Sequence, residues 1–222
     1  MFFQGLKMEN KRLYFSEFLG TFLLVFFGTG SIIISEECNG IIQAFGIGIV
    51  FGLTVWILVQ FLGKFSDCHI NPAVTVGFLW NKQISFKKAI FYMCFQLTGA
   101  VLASFSLHFL FAANQNLGNT VPSGSWQESF LLEFVLSFVL MWVILVSTTK
   151  KFLIKYAPFL IGFTVFIEAW LAGPICGASM NPARSFGPAL VSGNTLFLPL
   201  YILAPIVGML FGVYLWNLFH KK

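Results

Sequence analysis

The sequence predicts an all-α membrane protein with six transmembrane helices and two re-entrant half-helices, arranged as an inverted 3+3 repeat. Four observations carry this reading. Apolar residues make up 58% of the chain and charged residues only 9%, against roughly 25% charged in soluble domains, and the mean hydropathy is +0.85. The apolar runs are long and lack alternation, which selects helices over a β-barrel. Asn-Pro-Ala occurs twice, as Asn71-Pro72-Ala73 and Asn181-Pro182-Ala183, each inside an apolar stretch too short to cross a bilayer. Finally, Glu17-Phe18-Leu19-Gly20-Thr21 and Glu133-Phe134-Val135-Leu136-Ser137 open similar halves, and each Glu is followed about fifty residues later by an Asn-Pro-Ala. Three spans per half is an odd number, so the halves must be inverted, and such folds build their site from interrupted helices at the repeat interface.

In chain order, the full spans are read at 15–35, 41–62, 89–112, 130–148, 157–172 and 197–218. Each is near the ~20 residues that a bilayer core requires, the fifth being shorter. Residues 1–14 read as a cytoplasmic tail and 15–222 as one domain, with repeat halves at about 15–112 and 126–222. Met1–Gly5 is either a native start or an appended segment, with Met8 as an alternative initiator; these residues enter no argument. No cleavable signal peptide is evident, so the first apolar run reads as the first span. Residues 71–80 and 181–191 are the short elements. Ten residues of helix rise ~15 Å, so two placed end to end cover ~30 Å, one bilayer core.

The charges fix a topology. Lys7, Lys11 and Arg12 precede span one; Lys64, Lys82, Lys87 and Lys88 lie between spans two and three; Lys150, Lys151 and Lys155 lie between four and five; Lys221 and Lys222 follow six. Every basic residue except Arg184 thus falls on one face, which the positive-inside rule makes cytoplasmic, with both termini there. The net charge of +5 is topological and does not point to nucleic acid. The opposite loops hold Glu36, Glu37 and the polar stretch 114–127. Cys38, Cys68, Cys94 and Cys176 show no paired spacing, so neither a disulfide framework nor a metal site is implied, and no cofactor is expected.

Asn is a favoured N-cap and Pro a favoured first helical residue. Asn71 and Asn181 should therefore start two half-helices whose positive dipole ends face each other at the membrane midplane. With each Asn oxygen capping its own helix, the amide N–H groups are left to donate into a lumen. Two donors beside two positive helix ends suit the oxygen of water or a polyol and repel cations, as in half-helix pores generally. The backbone leading into each half-helix cannot be helical, and at membrane depth such backbone is tolerated where it lines a water-filled cavity. Ser66, Asp67, Cys68, His69 and Ile70 in the first half, and Gly177, Ser179 and Met180 in the second, would offer carbonyls there. Arg184, a charge on an apolar segment, is a functional candidate by its position alone.

These residues carry a resemblance. Glu17–Thr21, Phe51-Gly52-Leu53-Thr54-Val55, His69-Ile70-Asn71-Pro72-Ala73-Val74-Thr75 and Ser179-Met180-Asn181-Pro182-Ala183-Arg184-Ser185 all resemble motifs of the major intrinsic protein (aquaporin) family, over essentially the whole chain. The resemblance implies a right-handed six-helix bundle with one pore per protomer, assembled as a homotetramer in the plasma (inner) membrane. By the same analogy Glu17 and Glu133 brace the re-entrant loops by accepting backbone N–H bonds. The family's outer constriction falls, by ungapped counting, on Phe51, Ala169, Ala178 and Arg184. Water-selective members resemble Phe, His, Cys or Thr, and Arg at these places, so the alanines imply a wider and partly more apolar opening. Ser185 and Ala189 look water-type. The runs Ala172-Gly173-Pro174, Gly177-Ala178-Ser179-Met180 and Tyr201-Ile202-Leu203-Ala204-Pro205 resemble the nodulin-26-like subfamily, which is associated with glycerol and undissociated metalloid acids. The implied partners are water and small neutral solutes, and the lipid bilayer.

Several residues depart from the family pattern. Asp67-Cys68 stands where Gly-Ala is commoner, and Asp67 is expected to pair with Lys64, with a carboxylate at the cytoplasmic vestibule as the alternative. Cys68 and Cys176 flank pore-lining backbone, as possible mercurial targets or as inert thiols. His69 is expected to offer its carbonyl, with a pH gate as the alternative, and His108 to be packed or interfacial. Glu168, an acid beside Ala169, is expected to hydrogen-bond the second re-entrant loop, with a proton-sensitive element as the rival reading. No Ser/His/Asp arrangement, metal cluster or phosphate loop supports an enzyme. A coupled secondary transporter is the strongest rival class, since it also uses inverted repeats and broken helices; a membrane-organising protein with a nearly closed pore is a third.

Overall fold

The computed structural model describes residues 10–220; the readings made on Met1–Gly5, Lys7, Met8, Lys221 and Lys222 lie outside them. The described residues form α1 (Asn10–Glu37), α2 (Gln43–Leu62), α3 (Pro72–Trp80), α4 (Phe86–Leu110), α5 (Trp126–Thr149), α6 (Ala157–Cys176), α7 (Pro182–Ser192) and α8 (Leu198–Phe219). Six of these are long and apolar enough to cross a membrane, and α3 and α7 are the short pair. The expected class of six spans and two half-helices is what is seen.

Boundaries differ where local chemistry extends a helix beyond its apolar run. α1 reaches back to Asn10, into the segment read as a tail. Ser85 caps α4 by accepting from Lys88 N, which moves its start to Phe86. Ser125 and Glu128 form a reciprocal capping box that begins α5 at Trp126. α6 continues through Pro174 to Cys176 and stops where Gly177 turns left-handed, at φ 85°, a conformation that suits glycine at a helix end.

Small residues set the helix spacing, and they do so twice. α2 crosses α6 at Gly52 and Gly162, where a Cβ on either would press on the other's carbonyl oxygen, at 2.7 and 2.5 Å. Gly99 on α4 meets the Phe18 carbonyl of α1 in the same way that Gly208 on α8 meets the Phe134 carbonyl of α5. Close backbone approach of this kind is how helices pack where lipid offers no hydrophobic gain. The outward faces carry exposed Phe27, Phe105, Phe109, Leu131, Phe163 and Leu203, which accounts for the apolar composition.

Candidate functional site

The site begins with the half-helix caps. Asn71 and Asn181 both sit in extended backbone, and their Oδ1 atoms accept from Ala73 N (2.9 Å) and Ala183 N (3.0 Å), with Arg184 N a longer third donor at 3.4 Å. Pro72 and Pro182 occupy the first helical positions, where a missing N–H costs nothing. One N–H of each amide is not free for a lumen. Asn71 Nδ2 donates to Met180 O (2.8 Å) and Asn181 Nδ2 to Ile70 O (2.9 Å), tying each half-helix to the loop of the other. This corrects the expectation in two ways. Each amide keeps one N–H, not two, and the Met180 and Ile70 carbonyls are engaged by protein.

The loops that deliver these caps are built alike. Cys68 and Ile70 have φ of 49° and 44°, and Ala178 and Met180 have 41° and 52°. Four non-glycine residues in the left-handed region are uncommon, and such strain persists where surroundings over-determine it. The surroundings here are two buried carboxylates. Glu17 Oε1 accepts from His69 N (2.9 Å) and Ser66 Oγ (3.1 Å), and Oε2 from Ile70 N (2.7 Å) and Gln96 Nε2 (2.8 Å). Glu133 accepts from Ser179 N (2.6 Å) and Met180 N (2.8 Å).

Around these braces lie hydroxyl and aromatic contacts that sequence reasoning did not single out. His69 Nδ1 meets Thr75 Oγ1 at 3.1 Å, and its ring stacks on Phe78 at 4.7 Å. In the second loop Ser179 Oγ meets Ser185 Oγ at 2.5 Å, and Thr120 Oγ1 donates to Ser185 at 2.7 Å. Tyr201 Oη donates to the Cys176 carbonyl at 2.8 Å. The sequence-level sign of Gln96 and Thr75 was faint: single polar groups inside apolar runs, which must find partners when buried.

A continuous cavity of about 900 Å³ runs beside both caps. Among the residues named from sequence, Phe51, Asp67, Cys68, His69, Ile70, Asn71, Ala169, Ala178, Ser179, Met180, Asn181 and Arg184 line it. Ser66, Gly177, Glu17 and Glu133 do not, nor do Pro72, Ala73, Pro182 and Ala183. Ser66 serves the Glu17 brace, and Gly177 is the turn that ends α6. The guanidinium of Arg184 lies 5.2 Å from the Phe51 ring centroid and donates through Nη1 to Gly118 O (2.9 Å); its Nε has no hydrogen-bond partner among the described residues. At the other end the cavity is bordered by Lys64, Lys151 and Lys155.

Two expectations fail. Asp67 pairs with Lys88 and accepts from Tyr92 Oη (3.0 Å), not with Lys64. The loop turns Asp67 toward α4, while the Lys64 ammonium lies 5.7 Å from the Phe61 ring. Glu168 is buried, yet neither carboxyl oxygen has a hydrogen-bond partner among the described residues, so it makes no bond to the second loop. His108 is exposed in the last turn of α4, the interfacial option.

With this geometry in view, the comparisons with known proteins are specific. The sequence pattern described as major intrinsic protein matches residues 5–216. The chain belongs to the major intrinsic protein family. Nodulin-26 of Glycine max is 38% identical over 205 residues, covering 91% of this chain and 76% of that protein. Aquaporin NIP1-1 of Oryza sativa subsp. japonica is 37% identical over 205 residues, covering 91% and 72%. Among solved structures, the aquaglyceroporin from Plasmodium falciparum superposes with a TM-score of 0.85 at 23% identity, over 94% of this chain and 96% of that one, a likeness of fold. Major intrinsic proteins are passive channels and not enzymes, and this one is a six-span membrane protein built on that plan.

Proposed function

We propose that the chain forms a passive pore for water and small uncharged hydroxylated solutes such as glycerol, urea or undissociated metalloid acids, and that it rejects ions and protons. The observation that carries this is the wall of the cavity at Arg184. Phe51 lies against the guanidinium, and Ala169 and Ala178, which the family pattern puts at the same constriction, line the same cavity. Two methyl groups leave space that an imidazole and a larger side chain would fill, while Arg184 presents a fixed positive charge with an unpartnered Nε. Buried donors of this kind suit a neutral oxygen and disfavour a cation. The paired positive helix ends at Asn71 and Asn181 act in the same direction.

Ser185, which looked water-type in sequence, is engaged with Ser179 and Thr120. Its hydroxyl supports the loop, so it argues little about solute. The basic residues flanking the spans support cytoplasmic termini, and family membership supports a homotetramer in the plasma (inner) membrane.

Stopped-flow light scattering on proteoliposomes tests the reading. Water and glycerol flux are both expected, linear in the solute gradient and indifferent to ion gradients. Ala169→His is expected to lower glycerol flux roughly tenfold, the scale of a modest change in pocket fit, with water flux largely kept. Water flux with no glycerol, urea or boric acid flux would reduce the pore to a strict water channel. Flux that follows an ion gradient would make it a coupled transporter.

A further inference from the structure

On the side that the basic residues assign to the cytoplasm, the cavity ends among cations that a neutral solute does not need. Lys64, between α2 and α3, and Lys151 and Lys155, between α5 and α6, all line it. Trp56, within the last two turns of α2, packs edge-on against Phe159 in the first turn of α6, with ring centroids 5.4 Å apart. The chain therefore leaves α2 toward Lys64 beside the place where Lys155 leads into α6. All three lysines are exposed. The acid on this stretch of wall is Asp67, and it is engaged by Lys88 and Tyr92. Among the described residues that is the one ion pair, so none of the three ammonium groups meets a carboxylate. Lys64 and Lys155 lie over the Phe61 and Tyr156 rings, at 5.7 and 4.7 Å, contacts that steady the stems and cancel no charge.

The positive-inside rule accounts for lysines on this face but not for these places. Lys82, Lys87 and Lys150 serve topology equally well and do not line the cavity. The repeat offers a comparison. The displacement that carries Asn71 to Asn181 and Gly52 to Gly162 also relates Lys64 to Pro174, Ile41 to Lys151 and Phe45 to Lys155. The corresponding places at the opposite face thus hold Ile41, Phe45 and Pro174, with no cation among them. A cleft with low-dielectric walls and charges of one sign concentrates counter-ions, and Val59, Ile144 and Ile161 give this one apolar walls. Lysine binds phosphate as a point charge on a flexible stem. Three stems from two segments can close on one tetrahedral oxyanion, and the amides of Gln60 and Gln83, on the same cavity, can donate to its oxygens.

The geometry points to an anion site at this mouth: Lys64, Lys151 and Lys155 bind a small phosphate-bearing anion from the cytoplasm, which lies across the conduit and stops flow. The effect on flow rests on the channel reading above; the binding does not. A hydroxylated solute that is phosphorylated after entry thereby limits further entry. A phosphatidate headgroup carries the same phosphate chemistry, and the exposed Phe61, Phe152 and Tyr156 beside the lysines make the bilayer its second source.

The test compares the full chain with two triple variants. One carries Lys64→Gln, Lys151→Gln and Lys155→Gln; the other carries Lys82→Gln, Lys87→Gln and Lys150→Gln, which remove equal charge from the same face outside the cavity. Melting temperature in detergent is measured in sodium phosphate and in sodium chloride of equal ionic strength. An anion that binds the folded chain alone raises the midpoint. Phosphate is expected to raise it by a few degrees over chloride in the wild type and the second variant, and not in the first. Water flux in phosphatidylcholine proteoliposomes with phosphate on both faces is expected to fall several-fold for the wild type and the second variant, and to match the chloride value for the first. If the first variant does not fold, Lys64→Gln and Lys155→Gln singly are each expected to need several-fold more phosphate for the same shift. Equal wild-type midpoints in the two salts, or a phosphate shift that the second variant loses as fully as the first, overturns the site. A shift in midpoint with unchanged flux overturns the plug. So does block by phosphatidate in the bilayer when free phosphate has no effect, since the lysines would then hold a headgroup. Unfolding needs no transport, so a chain that conducts nothing in either salt sinks the channel reading while the midpoints still judge the anion site.

Discussion

The two re-entrant loops share a backbone and differ in the chemistry laid on it. Both pass through two left-handed residues, end in an Asn cap, and hang from a buried glutamate at the start of their half. Beyond that frame they part. The first is held on all sides by donors, through Ser66, Gln96 and the Thr75–His69 contact. The second carries Arg184 where the first has Val74, Glu168 where the first has Leu58, and Pro205 where the first has Gln96. What the halves keep in common is what bends the chain and seats the half-helices. What they do not share is the side chains laid on that frame: the charge at Arg184, the buried acid at Glu168 and the ring at Pro205.

The sharpest way to break this comparison is to remove the braces in turn. Glu17→Leu strands four buried donors, each costing roughly 1–3 kcal/mol when orphaned. It is expected to destabilise the protein by on the order of 3 kcal/mol or more and to abolish folded channel in a membrane-insertion or thermal-unfolding assay. Glu133→Leu strands two donors and should cost visibly less; a larger loss there would reverse the ranking of the loops. The helix crossing should instead be symmetric. Gly52→Ala and Gly162→Ala each force a Cβ onto backbone, a change expected to cost about 1–3 kcal/mol. Unfolding midpoints that separate the two variants widely would show that the frame is not shared. The smallest effect belongs to Asp67→Asn. Its partner pair with Lys88 is partly exposed, at 27% and 26%, and such pairs contribute at most about 1 kcal/mol. Water flux should change little, and a collapse of flux would give that pair a role at the pore mouth beyond its place on the cavity wall.

The half-helices were legible in the sequence because their signals are local: an Asn cap, a Pro at the first position and an apolar run of about ten residues. The end of α6 was not, because Gly173-Pro174 reads as a stop, whereas the helix passes Pro174 and ends at Gly177. The cavity residues Phe51, Ala169, Ala178 and Arg184 came from counting along a family pattern, and they do line one cavity. The Asp67–Lys88 pair was missed since sequence distance favoured Lys64, and only the fold of the loop brings α4 to Asp67. The crossed amides were beyond reach for the same reason. An Asn with a cap to satisfy gives no hint that its second task is a carbonyl 109 residues away.

That crossing has a consequence for how the molecule is made. When Asn71 emerges during synthesis, the chain that contains Met180 does not yet exist, and Ile70 waits equally long for Asn181. The first half can insert its spans and tether its loop to Glu17, but it cannot finish its own half-helix seat. The joint between the two half-helices is therefore the last to close, after both halves lie in the bilayer, and an unfinished chain has no completed path beside the paired caps through which the membrane could leak.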